Sequence, residues 1–456
     1  MIPRSLSDEI EQDSEPSLAV NPRNVNEIVG SAFTPDPLQG PLSPIFISGD
    51  GGQTWRLNSI VPSQIQTGDI YVGFGPSGRL YAGILRFPSP PNSIRMNILR
   101  TRNALSTAPM QVLVDRLEAD QPFLQTRQEP NGGSPSSRDR VYVGSNDFAV
   151  PDSTSVIDVS LNARAINAVF RTSRIDSRPN TMQNGPQVRP ACHRNGRVYL
   201  AFMRWTAQQG NWEANTLVVT GDLVVVRDDS GGRGSTPFRS LLDPADSQPG
   251  VRVVRSITFP FHHDETGVPG QQRLGGDVAI AVDPTNADTV YVAFASLEQS
   301  GYTVRVRRST DAGRTWSDDV RRLPRATNPA LAVNSQAKVG LLYQQLAGTS
   351  ALRWVTRFDR SANQGIDWTS FVLADTPANQ PAAQFSPYLG DYDTALAVGK
   401  DFYGVFSASN APDPAHFPNG VIYQRNADFA TRRLLGLDGA TTVARSIDPF
   451  FFKVTE

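Results

Sequence analysis

The sequence predicts an all-β fold, a β-propeller of seven four-stranded antiparallel blades with a six-bladed ring as the alternative. Three observations predict it. An eight-residue hairpin phrase recurs, a second strand phrase recurs, and short apolar or alternating runs separated by turn residues repeat along 456 residues. A ring of similar blades is one of the few architectures that uses such a length as one unit. Glycine and proline, at 36 and 35 residues, fit many short strands joined by turns. The expectation is a single propeller domain over 1–456, with 438–456 as a C-terminal tail or closing strand.

The hairpin phrase is Ser48, Gly49, Asp50, Gly51, Gly52, Gln53, Thr54, Trp55, which returns as Ser309, Thr310, Asp311, Ala312, Gly313, Arg314, Thr315, Trp316. Each copy follows one strand-like run (44–48 and 302–308) and leads into another (56–61 and 320–323), which puts it on a turn. There the hydroxyl and carboxylate can bond to backbone groups, Gly52 and Gly313 supply positive φ, and the tryptophan folds back into apolar space. A third copy, 361–368, keeps the spacing with Asn363 for Asp, Asp367 for Thr, and Gly365 and Trp368 in place. A fourth, Arg227 to Gly231, keeps only an Asp-x-Gly heart.

These hairpins resemble the Asp box, or BNR repeat, of the sialidase-like propeller superfamily. The resemblance assigns Ser48, Asp50, Gly52, Trp55, Ser309, Asp311, Gly313, Trp316, Gly365 and Trp368 a structural role. In that family the boxes lie on a rim away from the mouth where ligands bind, so they speak for a fold and not for a reaction.

The strand phrase Glu15, Pro16, Ser17, Leu18, Ala19, Val20, Asn21, Pro22 returns in outline as Asp277 to Pro284. Similar two-strand units begin at Asp69, Gln121, Gln187, Asn328 and Asp391, which brings the count to seven. Division by seven gives about 65 residues per unit, and the full hairpin copies at 48 and 309 stand about four units apart. Blades are therefore expected at about 15–62, 67–118, 119–185, 186–258, 273–324, 327–376 and 386–437. Insertions at 129–138 and 230–249 read as flexible surface loops, and 259–273 carries His262, His263, Asp264 and Glu265. Closure of the ring falls to 2–10 or to 448–454 with Phe450, Phe451 and Phe452.

Composition narrows the function classes. The net charge of -1 gives no global field toward nucleic acid. No run approaches the ~18 apolar residues of a membrane span. Only Lys338, Lys400 and Lys453 are lysines, so the basic residues are almost all arginine. Base composition of the genome explains this more readily than a surface selected for bidentate anion contacts. Cys192 is the only cysteine, which excludes an intrachain disulfide and any Cys/His zinc spacing. The opening residues MIPRSLSDEIEQDSEP lack the basic-then-apolar pattern of a secretory signal. A cytosolic protein, a signal-less export route and a mature chain freed of its leader all fit.

In a propeller the first strand of each blade lines the channel, and ligands meet the loops at one mouth. Several inner strands open with an acid: Glu15, Asp69, Asp120, Asp277, and Asp391 with Asp393. Each also reads as a residue that caps its strand. Together they could orient sugar hydroxyls, bind a cation, or include a proton donor whose pKa is raised by like charge. The phrase Tyr388, Leu389, Gly390, Asp391, Tyr392 resembles one common in bacterial Asp-box proteins, and its tyrosines and aspartates suit sugar stacking and hydrogen bonding.

The superfamily's sialidases combine three arginines, a tyrosine nucleophile paired with a glutamate, and an aspartate acid/base. Arg189 is the arginine best placed at an inner-strand start. The family's Arg-Ile-Pro phrase before the first box is missing. The expected set is thus Asp391, Tyr392 and Arg189 as catalytic, with Tyr388, Asp393, Glu15, Asp69, Asp120 and Asp277 binding substrate, without metal or cofactor. The expected ligand is a glycan or other polymer at the channel mouth, which the protein could hydrolyse as an exo-glycosidase. The alternative is a non-catalytic scaffold that docks a protein or polymer partner.

Overall fold

The computed structural model describes all residues except 34–44, 63–66, 88–93, 128–137, 150–153, 182–187, 212–213, 215, 264–271, 274–276, 299–300 and 383–387. Six four-stranded antiparallel sheets and one three-stranded sheet form seven blades. Among the described residues helix is confined to two short 3₁₀ turns, Arg4–Leu6 and Pro414–His416. The inner strands are Ser14–Val20, Thr67–Phe74, Ala119–Arg127, Arg189–Cys192, Val278–Val282, Ala326–Val333 and Thr394–Val398, in blades 1 to 7. Each contacts the next in order and the seventh contacts the first, so the ring is closed around a central channel.

Sheets that stack around an axis bury both faces, which is why many middle strands are continuously apolar. Val198–Gln209 and Val290–Glu298 show this, with Tyr199, Leu200, Phe202, Met203, Val292 and Phe294 all buried. The core is correspondingly a series of apolar clusters between neighbouring blades.

Blade 7 departs from the four-stranded expectation. After Asp401–Ser409 the chain leaves the blade, makes a small ladder from Ala427–Asp428 and Arg433–Leu434, and returns as Ile447–Val454 to pair with Asp401–Ser409. A continuous seventh blade ending near 437 is therefore not what forms. Phe450 and Phe452 of the returning strand pack with Phe358, Phe402 and Phe406. The leading residues lie against the same strand: Asp13 N donates to Ile447 O at 2.8 Å and the Met1 amine to Pro449 O at 2.7 Å. Arg425, buried, joins Asp448 (3.1 Å) to Glu9 (3.4 Å) and donates to Ser7 O, tying the excursion to both chain segments.

The repeated hairpins connect third to fourth strands. Ser48 Oγ donates to Asp50 Oδ1 and accepts from Gly52 N, both at 2.8 Å; Asp50 accepts from Thr54 N and Oγ1; Trp55 Nε1 donates to Gly52 O. The turn at Ser309 repeats the pattern bond for bond. In the third copy the polar roles are exchanged, with Asn363 Nδ2 donating to Asp367 Oδ2 at 2.8 Å where Thr had donated to Asp. Gly52 has φ +93, and a Cβ there would overlap the Phe451 ring. In the fourth copy the capping carboxylate is Asp228, one residue earlier than the Asp-x-Gly register, accepting from Ser230 N, Gly232 N and Phe238 N.

The 230–249 insertion is not a loose surface loop, since it carries Phe238 and Leu241 into the core. The 129–138 insertion lies outside the described residues except Arg138. Asp264 and Glu265 also lie outside them, while His262 and His263 pair with Arg273 and Gln272 in a short ladder.

Candidate functional site

All seven inner strands run the same way along the channel, so their starts share one mouth and their ends the other. At the strand-start mouth a recurrent backbone corner sets the geometry. Glu15, Gln121 and Asn328 have φ of 54, 55 and 52° and each precedes a proline. Each sits at a register shift between the first two strands of its blade, the mark of a β-bulge. A non-glycine residue in this region costs on the order of 1–3 kcal/mol, and the surrounding contacts must hold it there.

Those contacts join the blades. Asp277 of blade 5 accepts from Thr327 Oγ1 (2.7 Å) and Asn328 N (2.9 Å) of blade 6. Asn328 Nδ2 donates to Gln344 Oε1 and to Gly390 O, at the threshold of blade 7. Asp391 N donates to Glu15 Oε1 of blade 1 at 3.2 Å, and Tyr392 OH reaches Asp69 Oδ1 of blade 2 at 3.0 Å. Gly390 has φ +99, and a Cβ there would stand 2.6 Å from Glu15 N, so only glycine allows the approach.

Inside this ring of ties lies a cavity of about 90 Å³, lined by Arg189, Asp277, Asp391, Tyr392 and Asp393 together with Tyr71 and Phe123. Tyr71, Phe123 and Tyr392 pack together, Phe123 and Tyr392 edge to face at 5.0 Å. The Arg189 guanidinium lies on the Phe123 ring and 5.6 Å from that of Tyr392. Its Nε donates to Val278 O, and its Nη1 has no hydrogen-bond partner among the described residues. Asp277 Oδ1 and Asp393 Oδ2 are likewise without one.

Burial governs the electrostatics. It pushes the Asp277 carboxyl up to about 7, with Asp391 adding to the rise and the Asn328 and Thr327 donors and Arg189 opposing it. It also holds Asp393 well above the carboxylate range. The Tyr392 phenol is raised by burial and by the adjoining Asp69 and Glu15, and Arg189 is lowered by burial to about 10. The arrangement therefore offers a proton donor near neutral pH, a cation, and a phenol already aimed at a carboxylate.

Of the residues expected from sequence, Arg189, Asp277, Asp391, Tyr392 and Asp393 come together in the cavity, while Asp69 and Glu15 stand behind it as acceptors. Two lie apart. Tyr388 packs between blades with Leu346, Trp354 and Ile447 and donates to Pro381 O, and Asp120 accepts from Gln121 N at its own corner. Gln121, Asn328, Phe123 and Tyr71 are site residues that the acid pattern passes over. The signal for the first two is an X-Pro pair at four inner-strand starts, 15–16, 121–122, 189–190 and 328–329.

No protein-family profile matches the chain, and no curated protein matches it. Solved structures resemble it in chain path. An α-L-arabinofuranosidase of Fusarium graminearum has 11% identity over 73% of this chain and 88% of its own, with a TM-score of 0.44. A Penicillium chrysogenum α-L-arabinanase has 11% identity over 81% and 94%, with a TM-score of 0.43. A polysaccharide lyase, an ulvan lyase, has 9% identity over 87% and 92%, with a TM-score of 0.49. At such identities the likeness concerns the fold alone.

Proposed function

We propose that the protein binds a glycan at the strand-start mouth and hydrolyses it as a glycosidase. The observation that carries this reading is the hydrogen bond from Tyr392 to Asp69 beside Arg189, facing a carboxyl, Asp277, that is half protonated near pH 7. Asp277 would protonate the leaving glycosidic oxygen. Tyr392 would attack the anomeric carbon as Asp69 takes its proton, and water would then cleave the glycosyl–tyrosine bond with Asp277 as base. Arg189 would hold an anionic or hydroxyl group of the sugar through Nη1. This cast resembles that of a sialidase in its tyrosine–carboxylate pair. It differs in that Arg189 is the only arginine among the described residues that line the cavity.

The test is a panel of fluorogenic glycosides, including a sialic acid glycoside, with wild type, Tyr392→Phe and Asp277→Asn. Release of fluorophore that collapses in both variants supports the reading; no release from any sugar overturns it. One observation favours the second reading, a non-catalytic docking mouth. The cavity of about 90 Å³ is well below the ~300–1,000 Å³ of ordinary ligand pockets. It would admit the end group of a polymer and not a whole ring, and saturable glycan binding without turnover would mark it.

A further inference from the structure

The channel has a second cavity, at the mouth formed by the strand ends, with a volume of about 370 Å³. The side chains that line it are mostly aliphatic, among them Val20, Val72, Val282, Val333 and Val398, although more than half of the surface facing the cavity is polar. Among the described residues one charged side chain lines it: Arg127, at the end of the blade 3 inner strand. Arg127 is 4% exposed, and none of its Nε, Nη1 and Nη2 has a hydrogen-bond partner among the described residues.

A second guanidinium lies next to it. Arg140 is 0% exposed and stands directly opposite Arg127 in the antiparallel register. Both lean on the Gly231 backbone, where an added Cβ would be 3.2 Å from Arg127 Nη2 and 3.2 Å from Arg140 Nη1. Like charges directly opposed on a sheet repel, and a buried guanidinium without an acceptor gives up its hydration for nothing. An anion placed against Arg127 relieves both costs.

We propose that the strand-end cavity binds a small aliphatic carboxylate, its carboxylate in a two-bond fork with Arg127 and its apolar body along the valine and leucine walls. The fork geometry of guanidinium fits a carboxylate, and no second charged side chain among the described residues lines the cavity to meet a multiply charged anion. The site is independent of the glycan reading, since it uses the opposite mouth and none of the same charged groups.

Cys192 lines the same cavity and is the only thiol of the chain, which makes it a built-in reporter. The experiment is the rate of Cys192 modification by methyl methanethiosulfonate in the wild-type protein with butyrate, butanol or inorganic phosphate. Butyrate at ten times its dissociation constant should slow the reaction roughly tenfold, butanol and phosphate much less, and Arg127→Gln should abolish the protection. No slowing by butyrate, equal slowing by butanol, slowing by phosphate as strong as by butyrate, or full protection in a folded Arg127→Gln protein would each overturn the proposal. If that variant does not fold, butyrate against butanol in the wild type decides alone.

Discussion

The two mouths of one channel are built from the same seven strands, yet they hold opposite chemistry. At the strand starts, bulged X-Pro corners turn polar residues inward, and the carboxylates outnumber the single arginine. Their charge is reduced by proton uptake, as the raised Asp277 and Asp393 show, and Asp277 Oδ2 and Glu15 Oε1 accept bonds from neighbouring blades. At the strand ends the lining side chains are mostly aliphatic and the buried charge is cationic. The contrast teaches that a propeller can hold different chemistry at the two ends of its axis. A local break in strand register at one end changes which atoms face the lumen without disturbing the other end.

The largest effect that tests this separation is on turnover. Asp277→Asn should lower kcat by about 10²–10⁴-fold, the usual weight of a positioned acid or base, and Tyr392→Phe, which removes the proposed nucleophile, by at least as much. Both should leave butyrate protection of Cys192 unchanged. If either abolishes that protection, the two ends are coupled and the comparison breaks. Turnover that needs protonated Asp277 should fall as pH rises past about 7, a profile read directly from kcat/KM.

Next in size is a stability effect at the same residue. Below the unfolded carboxyl pKa both states hold the proton and Asp277 contributes nothing. Between that value and about 7 only the folded state keeps it, so stability falls as pH rises and the loss is complete above 7. The full loss is on the order of 2–4 kcal/mol. Asp277→Asn removes it, so denaturant unfolding at pH 8 should show the variant gaining on wild type, and at pH 4 should not.

Gly231→Ala comes third. With φ +72 and both guanidinium groups against the new methyl, it should cost about 1–3 kcal/mol and weaken butyrate protection, while turnover at the far mouth stays as in wild type. The smallest effect is Asp50→Asn. Desolvation pushes the Asp50 carboxyl up, but the bonds from Thr54 and Ser48 together outweigh it and hold the group down to about 2; the third hairpin already works with Asn363. A change below about 1 kcal/mol in thermal unfolding is expected.

The propeller fold was legible because hairpin chemistry is local: Ser48, Asp50, Gly52 and Trp55 make their bonds within eight residues of chain, and the count of seven came from the recurring two-strand units. The acids at the inner-strand starts were legible for a related reason, since each begins a recognisable apolar run. What those acids do was not, because their partners are remote; Tyr392 and Asp69 are 323 positions apart and Asp391 and Glu15 are 376 apart. Tyr388, in the same phrase as Tyr392, points instead between blades, a distinction that only the turn at Gly390 creates. Arg127 escaped notice because an arginine that ends a strand ordinarily reaches water; the ring folds blade 4's Gly231 turn over it.

The third strand of blade 7 comes from Ile447–Val454, while the strand that opens blade 1 is Ser14–Val20. On the ribosome, at ~5–20 residues per second, the first blade is exposed for roughly 20–90 s before its neighbour across the seam is complete. For that interval the blade 1 apolar residues Leu18, Val20, Ile28 and Phe46 lack Tyr403 and Val405, and of their final cluster have only Met1, Ile2, Leu6 and Trp55 from the same stretch of chain. The seam between the first and last blades thus stays open during synthesis for an interval set by translation speed, and slowing elongation late in the message would widen it.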